Sequence, residues 1–100
     1  MIFREKRPSV LARREVRIIN KLGLHARPAA HFVKHVRIFR SEIWLVTAGG
    51  RYSASSLIDV LRANLDCGAT ATLEANGVDA DEAVERLEKL LGDLHKFDEP

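Results

Sequence analysis

The order of strand and helix patterns constrains the fold of this 100-residue chain more than any other feature of its sequence. Strand, helix, strand, strand, helix, strand and helix follow one another at 15–19, 26–39, 42–47, 51–54, 57–65, 70–75 and 79–94. An α+β order of this kind is best satisfied by a four-stranded, mainly antiparallel sheet with three helices on one face. The length fits one small domain with a single core. We expect this domain at 15–95, a loose basic extension at 1–14 and a short tail at 96–100.

The last helix has the clearest pattern. Asp79 and Glu82 are spaced as a capping box, and acidic side chains in the first turn suit the helix dipole. Apolar residues then recur at helical spacing at Ala80, Ala83, Val84, Leu87, Leu90, Leu91 and Leu94. The first helix has a comparable stripe, made by Ala29, Phe32, Val33, Val36 and Phe39. For the short middle helix, Ser55 or Ser56 is the predicted N-cap.

The stretch GLHARPAA at 23–30 begins the first helix with bases instead of acids. Pro28 is tolerated in a first turn, but His25 and Arg27 lie where free N–H groups favour negative charge. No Asp or Glu occurs between positions 21 and 41. A phosphate would supply the missing anion, and the neutral imidazole of His25 is a nucleophile that can accept it covalently. The residues alone leave a plainer alternative open, in which His25 is a simple N-cap beside a solvated Arg27.

Charge is divided unevenly along the chain. Residues 1–41 carry eleven Lys and Arg against two acids, whereas residues 42–100 carry five against twelve. The basic half favours phosphate, nucleic acid or an acidic protein as a partner. Nucleic-acid binding is the rival class, but Phe32 and Phe39 fit the apolar stripe and the acidic half would repel a phosphate backbone. A hydrolase is poorly supported, since no G-x-S-x-G motif is present.

Other candidate sites are weak. His31 and His35 lie four residues apart, but no Cys or carboxylate in their segment completes a zinc site, so we expect no metal and no organic cofactor. Cys67 is the one cysteine and cannot form an internal disulfide, which favours a reducing compartment, the cytoplasm. No apolar run approaches the roughly 20 residues of a membrane span, and the first 14 residues lack a signal-peptide pattern.

The segment EVRIINKLGLHARPAAHFVKH resembles the HPr family, the histidine-containing phosphocarriers of the bacterial phosphoenolpyruvate-dependent phosphotransferase system. The similarity runs ungapped from about Glu15 to Leu94, and SSLIDVL falls where the family has its second signature. The resemblance implies an open-faced β-sandwich. It also implies that enzyme I phosphorylates His25 on the δ nitrogen and that the group then passes to an enzyme IIA. Arg27 matches the arginine that attends the phosphohistidine.

The second signature implies regulation and docking. Ser56 matches the serine that a regulatory kinase phosphorylates in many members, although Ser55 and Asp59 stand where relatives often have basic or neutral residues. Leu57, Ile58 and Leu61 match apolar partner contacts, and we expect one or two of them to serve the core as well. The family implies a transfer intermediate, monomeric in use, instead of a self-sufficient catalyst. A nitrogen-related or signalling relay of the same family is the alternative to sugar transport.

Overall fold

The computed structural model describes residues 8–98, in which one sheet is covered on a single side by helices. The strands are β1 (Val10–Arg17), β2 (Glu42–Thr47), β3 (Gly50–Ser53) and β4 (Thr70–Gly77). The helices are α1 (Ala26–Val36), α2 (Leu57–Arg62) and α3 (Ala80–Gly92), followed by a 3₁₀ segment, η1 (Leu94–Asp98). The spatial order is β1-β4-β2-β3 and all neighbours are antiparallel. The predicted α+β architecture is therefore confirmed.

The core lies between the sheet and the helices. Alternate strand residues point to this side, so Ile43 and Leu45 of β2 pack beside Leu73 of β4 and all three are buried. The helices contribute their apolar stripes, whose buried members are Pro28, Ala29, Phe32, Val33, Val36, Ala80, Ala83, Val84, Leu87 and Leu91. Most of the predicted stripes of α1 and α3 are therefore confirmed. Leu90 is only half-buried, and Phe39 and Leu94 lie beyond the helix ends.

The other side of the sheet is open and polar. Glu74 of β4 lies between two arginines, with 3.1 Å from its carboxylate to Arg13 and 3.1 Å to Arg51. These pairs, led by the hydrogen bond from Arg13, hold the pKa of Glu74 below its usual value. The guanidinium carbon of Arg51 also lies 3.9 Å from the centroid of the Trp44 ring. Charged side chains thus cover the face that has no helices.

The sheet begins earlier than the sequence pattern predicted. β1 starts at Val10, so residues 10–14 belong to the sheet and not to a loose extension; only residues 1–7 of that predicted extension lie outside the described residues. The alternation is hidden by consecutive charged residues in the middle of β1. Arg14 points to the helix side yet stays exposed, because at the sheet edge it pairs with Glu88 of α3 at 2.6 Å.

Three predicted helix ends were too late. α3, predicted to reach residue 94, ends at Gly92, and Leu94 begins η1. α1 ends at Val36 and Phe39 packs on the core from the following turn. α2 ends at Arg62, and Asn64 adopts a left-handed conformation with φ of 54° that cannot continue a helix. The predicted tail also differs, since residues 96–98 form the end of η1.

The predicted capping box at Asp79 is wrong. Asp79 occupies the N-cap position of α3, but its side chain makes no capping bond. Its carboxylate instead accepts hydrogen bonds from the N–H groups of Arg40 and Ser41, at 2.8 and 2.9 Å, and from Ser41 Oγ at 2.6 Å. A partner 38 residues away has displaced the local cap. This carboxylate joins the start of α3 to the connection between α1 and β2.

We predict that Asp79→Ala lowers the free energy of unfolding by about 2–3 kcal/mol at pH 7, because two backbone N–H groups lose a charged acceptor. Burial alone would raise the pKa of Asp79, but the hydrogen bonds from Ser41 and Arg40 outweigh it and hold the pKa below 3.8. A lowered carboxyl pKa stabilises the fold above the unfolded value and loses this effect as pH falls. Urea denaturation at pH 7 and pH 3 should therefore show a smaller difference between variant and wild type at pH 3.

The control is Asp81→Ala, an exposed acid of the same first turn. It should change stability by no more than about 0.5 kcal/mol at either pH. Equal losses for the two variants at pH 7 would contradict a special role for Asp79.

Candidate functional site

His25 stands at the N-cap position of α1, where the chain is still extended, with φ of −79° and ψ of −174°. Its carbonyl accepts the first helical hydrogen bond, from Ala29 N–H at 2.9 Å. Its side chain makes no capping bond, and the first turn holds no acid. The imidazole is therefore not occupied as a simple cap. Helix geometry leaves the N–H groups of Ala26 and Arg27 without an intrahelical acceptor, as an anion site requires.

The loop before His25 is fixed by an asparagine that the sequence analysis missed. Asn20 is fully buried, and its Nδ2 donates to the carbonyl of Gly23. In return, Gly23 N–H donates to the Asn20 carbonyl at 3.1 Å. An Asn three residues before a glycine, directly after an apolar strand pattern, was the available signal for such a turn.

The same loop is pressed against the chain that leaves α2. Leu24 N–H donates to the carbonyl of Leu65 at 2.8 Å. Gly23 has φ of +67°, and a Cβ on it would lie 2.7 Å from the Leu65 carbonyl oxygen and 2.8 Å from the Asp66 Cα. Only glycine satisfies both the conformation and the close approach. His25 is thus held at a set distance from α2.

The His25 ring is half-buried at the wall of a cleft of about 290 Å³. The cleft is lined by Leu22, Leu24, His25, Ala26, Leu61, Asn64, Leu65 and Asp66. Within residues 8–98, His25 Nε2 is buried and has no hydrogen-bond partner. Nε2 is therefore the covered nitrogen of the His25 ring.

Arg27 is exposed in the first turn of α1. Among residues 8–98, none of the ion pairs involves its guanidinium. The carbon of that group instead lies 5.7 Å from the centroid of the Phe97 ring, in η1. A positive charge beside His25 is therefore available to an anion.

Ser56 is the N-cap of α2, which decides between the two predicted serines. Its Oγ accepts a hydrogen bond from Asp59 N–H at 3.3 Å, and the residue is half-buried. The Asp59 carboxylate lies 4.0 Å from Arg62, one turn further on. A negative charge is therefore already present in the first turn of α2.

The apolar residues of α2 form a surface patch. Leu57, Ile58 and Leu61 are 36%, 70% and 39% exposed, so the expectation that one or two of them serve the core is wrong. Val60 alone makes the buried contact of this helix. Leu61 also lines the His25 cleft, together with Leu22, which is 61% exposed. The patch and the histidine share one side of the molecule.

His31 and His35, the predicted weak candidates for a zinc site, lie side by side on α1. The rings of His31 and His35 are 4.4 Å apart, but His35 Nδ1 bonds to the His31 carbonyl at 2.9 Å. Burial, followed by the charges of His35, Lys96 and Lys34, lowers the pKa of His31. Within the described part of the chain, no three His, Cys, Asp or Glu residues converge as a metal site.

The positions of the aromatic rings and the composition of the helices bear on nucleic-acid binding and on membrane insertion. Phe32 is fully buried and Phe39 packs against the core, so neither ring is displayed for stacking on a nucleic acid. Between residues 8 and 98, the helices are too short or too polar to cross a bilayer.

Comparison with known proteins gives a consistent result. Residues 12–93 match the family described as "PTS HPr component phosphorylation site". The phosphocarrier protein HPr of Haemophilus influenzae is 42% identical over 81 residues, which cover 81% of this chain and 95% of that protein. That of Vibrio cholerae is 40% identical over 82 residues, which cover 82% and 96%.

A solved structure agrees with these matches. HPr-C-His from Thermoanaerobacter tengcongensis superposes with a TM-score of 0.80 at 33% identity, covering 85% of this chain and 96% of that one. The sheet order, the histidine at the start of α1 and these similarities together show that the chain belongs to the HPr family of phosphocarrier proteins of the phosphotransferase system.

Proposed function

We propose that His25 accepts a phosphoryl group from phosphorylated enzyme I and passes it to an enzyme IIA-type protein. The observation that carries the proposal is the start of α1. There an imidazole that makes no capping bond adjoins N–H groups without an intrahelical acceptor, and Arg27, which has no ion pair within residues 8–98, lies in a first turn without acids. A dianionic phosphoryl group satisfies all three features at once. The plain N-cap alternative gives no reason for the two basic side chains.

Nδ1 of His25 is the attacking atom in this proposal. Nε2 is covered, and attack by Nδ1 requires the tautomer that carries the ring proton on Nε2 and presents the lone pair on Nδ1. A P–N bond forms as the bond between phosphorus and the donor breaks, and the electron pair of that bond leaves with the donor. The N–H groups of α1 and the Arg27 guanidinium then face the charge of the phosphoryl oxygens. The group passes directly between proteins, so the step needs no metal or organic cofactor.

Enzyme I and the IIA protein dock on the apolar patch of α2 in this proposal. Exposed apolar side chains grouped beside a reactive residue are typical of an interface. Leu61 and Leu22 carry the patch as far as the His25 cleft, so a partner seated there reaches the histidine. The relay operates in the cytoplasm, where an exposed thiol such as that of Cys67 stays reduced.

Control at Ser56 is the least direct part of the proposal. A serine kinase would add a dianion beside the patch, and docking would then require that charge to be desolvated. Asp59 places a carboxylate in the same turn, which favours a weak switch.

The acceptor protein decides between a sugar-transport relay and a nitrogen-related or signalling one. Incubating phosphorylated protein with purified IIA domains of each kind, and comparing transfer rates, identifies it.

We predict that phosphoenolpyruvate and enzyme I label His25 with an acid-labile, base-stable phosphoryl group. His25→Ala should abolish labelling because the nucleophile is lost. His31→Ala, His35→Ala and His95→Ala are the matched controls and should be labelled as the wild type is. Mass spectrometry after alkaline quenching measures the result, and full labelling of His25→Ala would refute the assignment.

Arg27→Ala should slow phosphoryl transfer tenfold or more, since a charge-assisted contact of about 1.5–3 kcal/mol is lost. Stability should change by only about 0.5 kcal/mol, because the side chain is exposed. Rapid-quench labelling and thermal melting measure the two effects. Lys34→Ala removes an exposed cation from the last turn of the same helix and should leave the transfer rate unchanged. Equal rates for wild type and Arg27→Ala would argue against the role of Arg27.

Ser56→Ala should cost about 1 kcal/mol of stability through loss of the N-cap bond to Asp59. Ser56→Asp should keep the fold, since a carboxylate suits a helix start, but should weaken docking of enzyme I. The measurement is the rate of His25 phosphorylation across enzyme I concentrations for wild type and both variants. If Ser56→Asp and wild type have equal apparent affinities, the serine is only a cap.

A further inference from the structure

The segment η1 folds back on the loop that carries His25. Leu94 anchors it in the core with no exposed surface, and the four residues that follow lie beside the start of α1. The family match covers residues 12–93, so this segment lies just beyond the matched region. Two of its residues, Phe97 and Asp98, contact Arg27 and the loop before His25.

Asp98 holds the backbone of the loop. Its carboxylate accepts hydrogen bonds from Lys21 N–H at 2.8 Å and from Leu22 N–H at 3.3 Å. On the other side, the loop is held by Asn20 and by the Leu65 carbonyl. The residues directly before His25 are therefore fixed from two sides.

Phe97 holds the side chain of Arg27. His31 and Arg27 are four residues apart and share one face of α1. The Phe97 ring lies against this face, with its centroid 5.2 Å from the His31 ring and 5.7 Å from the guanidinium carbon of Arg27. Both distances suit attraction, and the second is within the range of a cation–π contact. Arg27 is nevertheless exposed, so the ring supports the guanidinium without covering it.

We propose that η1 is a clasp, residues 94–98, in which Phe97 and Asp98 position Arg27 and the loop before His25 for phosphoryl transfer. The inference rests on the proposed function of His25. A free arginine side chain loses rotamer freedom when it binds a phosphoryl group, whereas one already held against a ring loses less. Phe97 and Asp98 touch neither the donor nor the reacting nitrogen in this account, so they are positioning residues and not catalytic ones.

Phe97 is tested by a double-mutant cycle with Arg27. Phe97→Leu keeps an apolar side chain but removes the ring, and we expect the maximal rate of His25 phosphorylation to fall about two- to fivefold. The enzyme I concentration that gives half the maximal rate should stay unchanged, because docking uses the patch on α2. Phe97→Trp should restore the rate to within twofold of wild type. In an Arg27→Ala background, Phe97→Leu should have no further effect.

Asp98 is tested at the loop itself. Asp98→Ala should speed amide hydrogen exchange of Lys21 and Leu22 at least fivefold while leaving Leu24, which donates to Leu65, protected. The maximal rate should fall at least twofold. His95→Ala is the control from the same segment, because His95 is exposed and its Nδ1 bonds to the nearby Gly92 carbonyl at 3.2 Å. It should match wild type in both measurements.

The outcomes separate the clasp from the proposed function. A wild-type protein that accepts no phosphoryl group on His25 refutes the function. A wild type that is labelled normally, with Phe97→Leu equally slow in both Arg27 backgrounds, refutes the clasp by showing a packing role alone. Wild-type rates in Phe97→Leu and Asp98→Ala together with unchanged amide exchange refute it as well.

Discussion

The approach of the loop at Gly23 to the carbonyl of Leu65 is the contact on which the arrangement of the site depends. Leu24 N–H donates a hydrogen bond of 2.8 Å to the Leu65 carbonyl. The two backbones lie so close that a Cβ on Gly23 would clash with Leu65 and Asp66. Because α1 begins just after one of these segments and α2 ends just before the other, their positions are linked. A histidine on the first helix and the apolar patch on the second become parts of one surface through this backbone contact.

The basic side chains at the start of α1 have some cost to the helix. Basic side chains near a helix N-terminus forgo about 0.3–1 kcal/mol each relative to favourable charges. The chain keeps the usual arrangement elsewhere, with Lys34 and His35 in the last turn of α1 and Asp81 and Glu82 in the first turn of α3. The departure is therefore confined to the one helix end that adjoins His25. Side chains that conflict with the usual charge preference of a helix end are expected where a bound ligand completes the structure.

Elements with a regular apolar period were predictable from the sequence, and those set by distant partners were not. Both long helices bury most of the residues that their spacing indicated, and the basic start of α1 was visible in His25 and Arg27. β1 was underestimated because an edge strand places charged residues such as Arg14 on both faces. The role of Asp79 depends on Ser41, whose position no local pattern encodes. For η1, helical spacing found Leu94 but gave no sign of its return to the loop.

The acid-free stretch of sequence is bounded in space by two carboxylates. Asp98 binds the N–H groups of Lys21 and Leu22 at the start of the stretch. Asp79 binds those of Arg40 and Ser41 at its end, before β2. Both acids are satisfied by backbone donors and not by the basic side chains of the stretch. The two carboxylates fasten the ends of the stretch to η1 and α3. Arg27 lies within the stretch and is not paired with either of them. Within residues 8–98, the two carboxylates thus tether the stretch without pairing with Arg27, which is the arrangement that the proposed phosphoryl transfer requires.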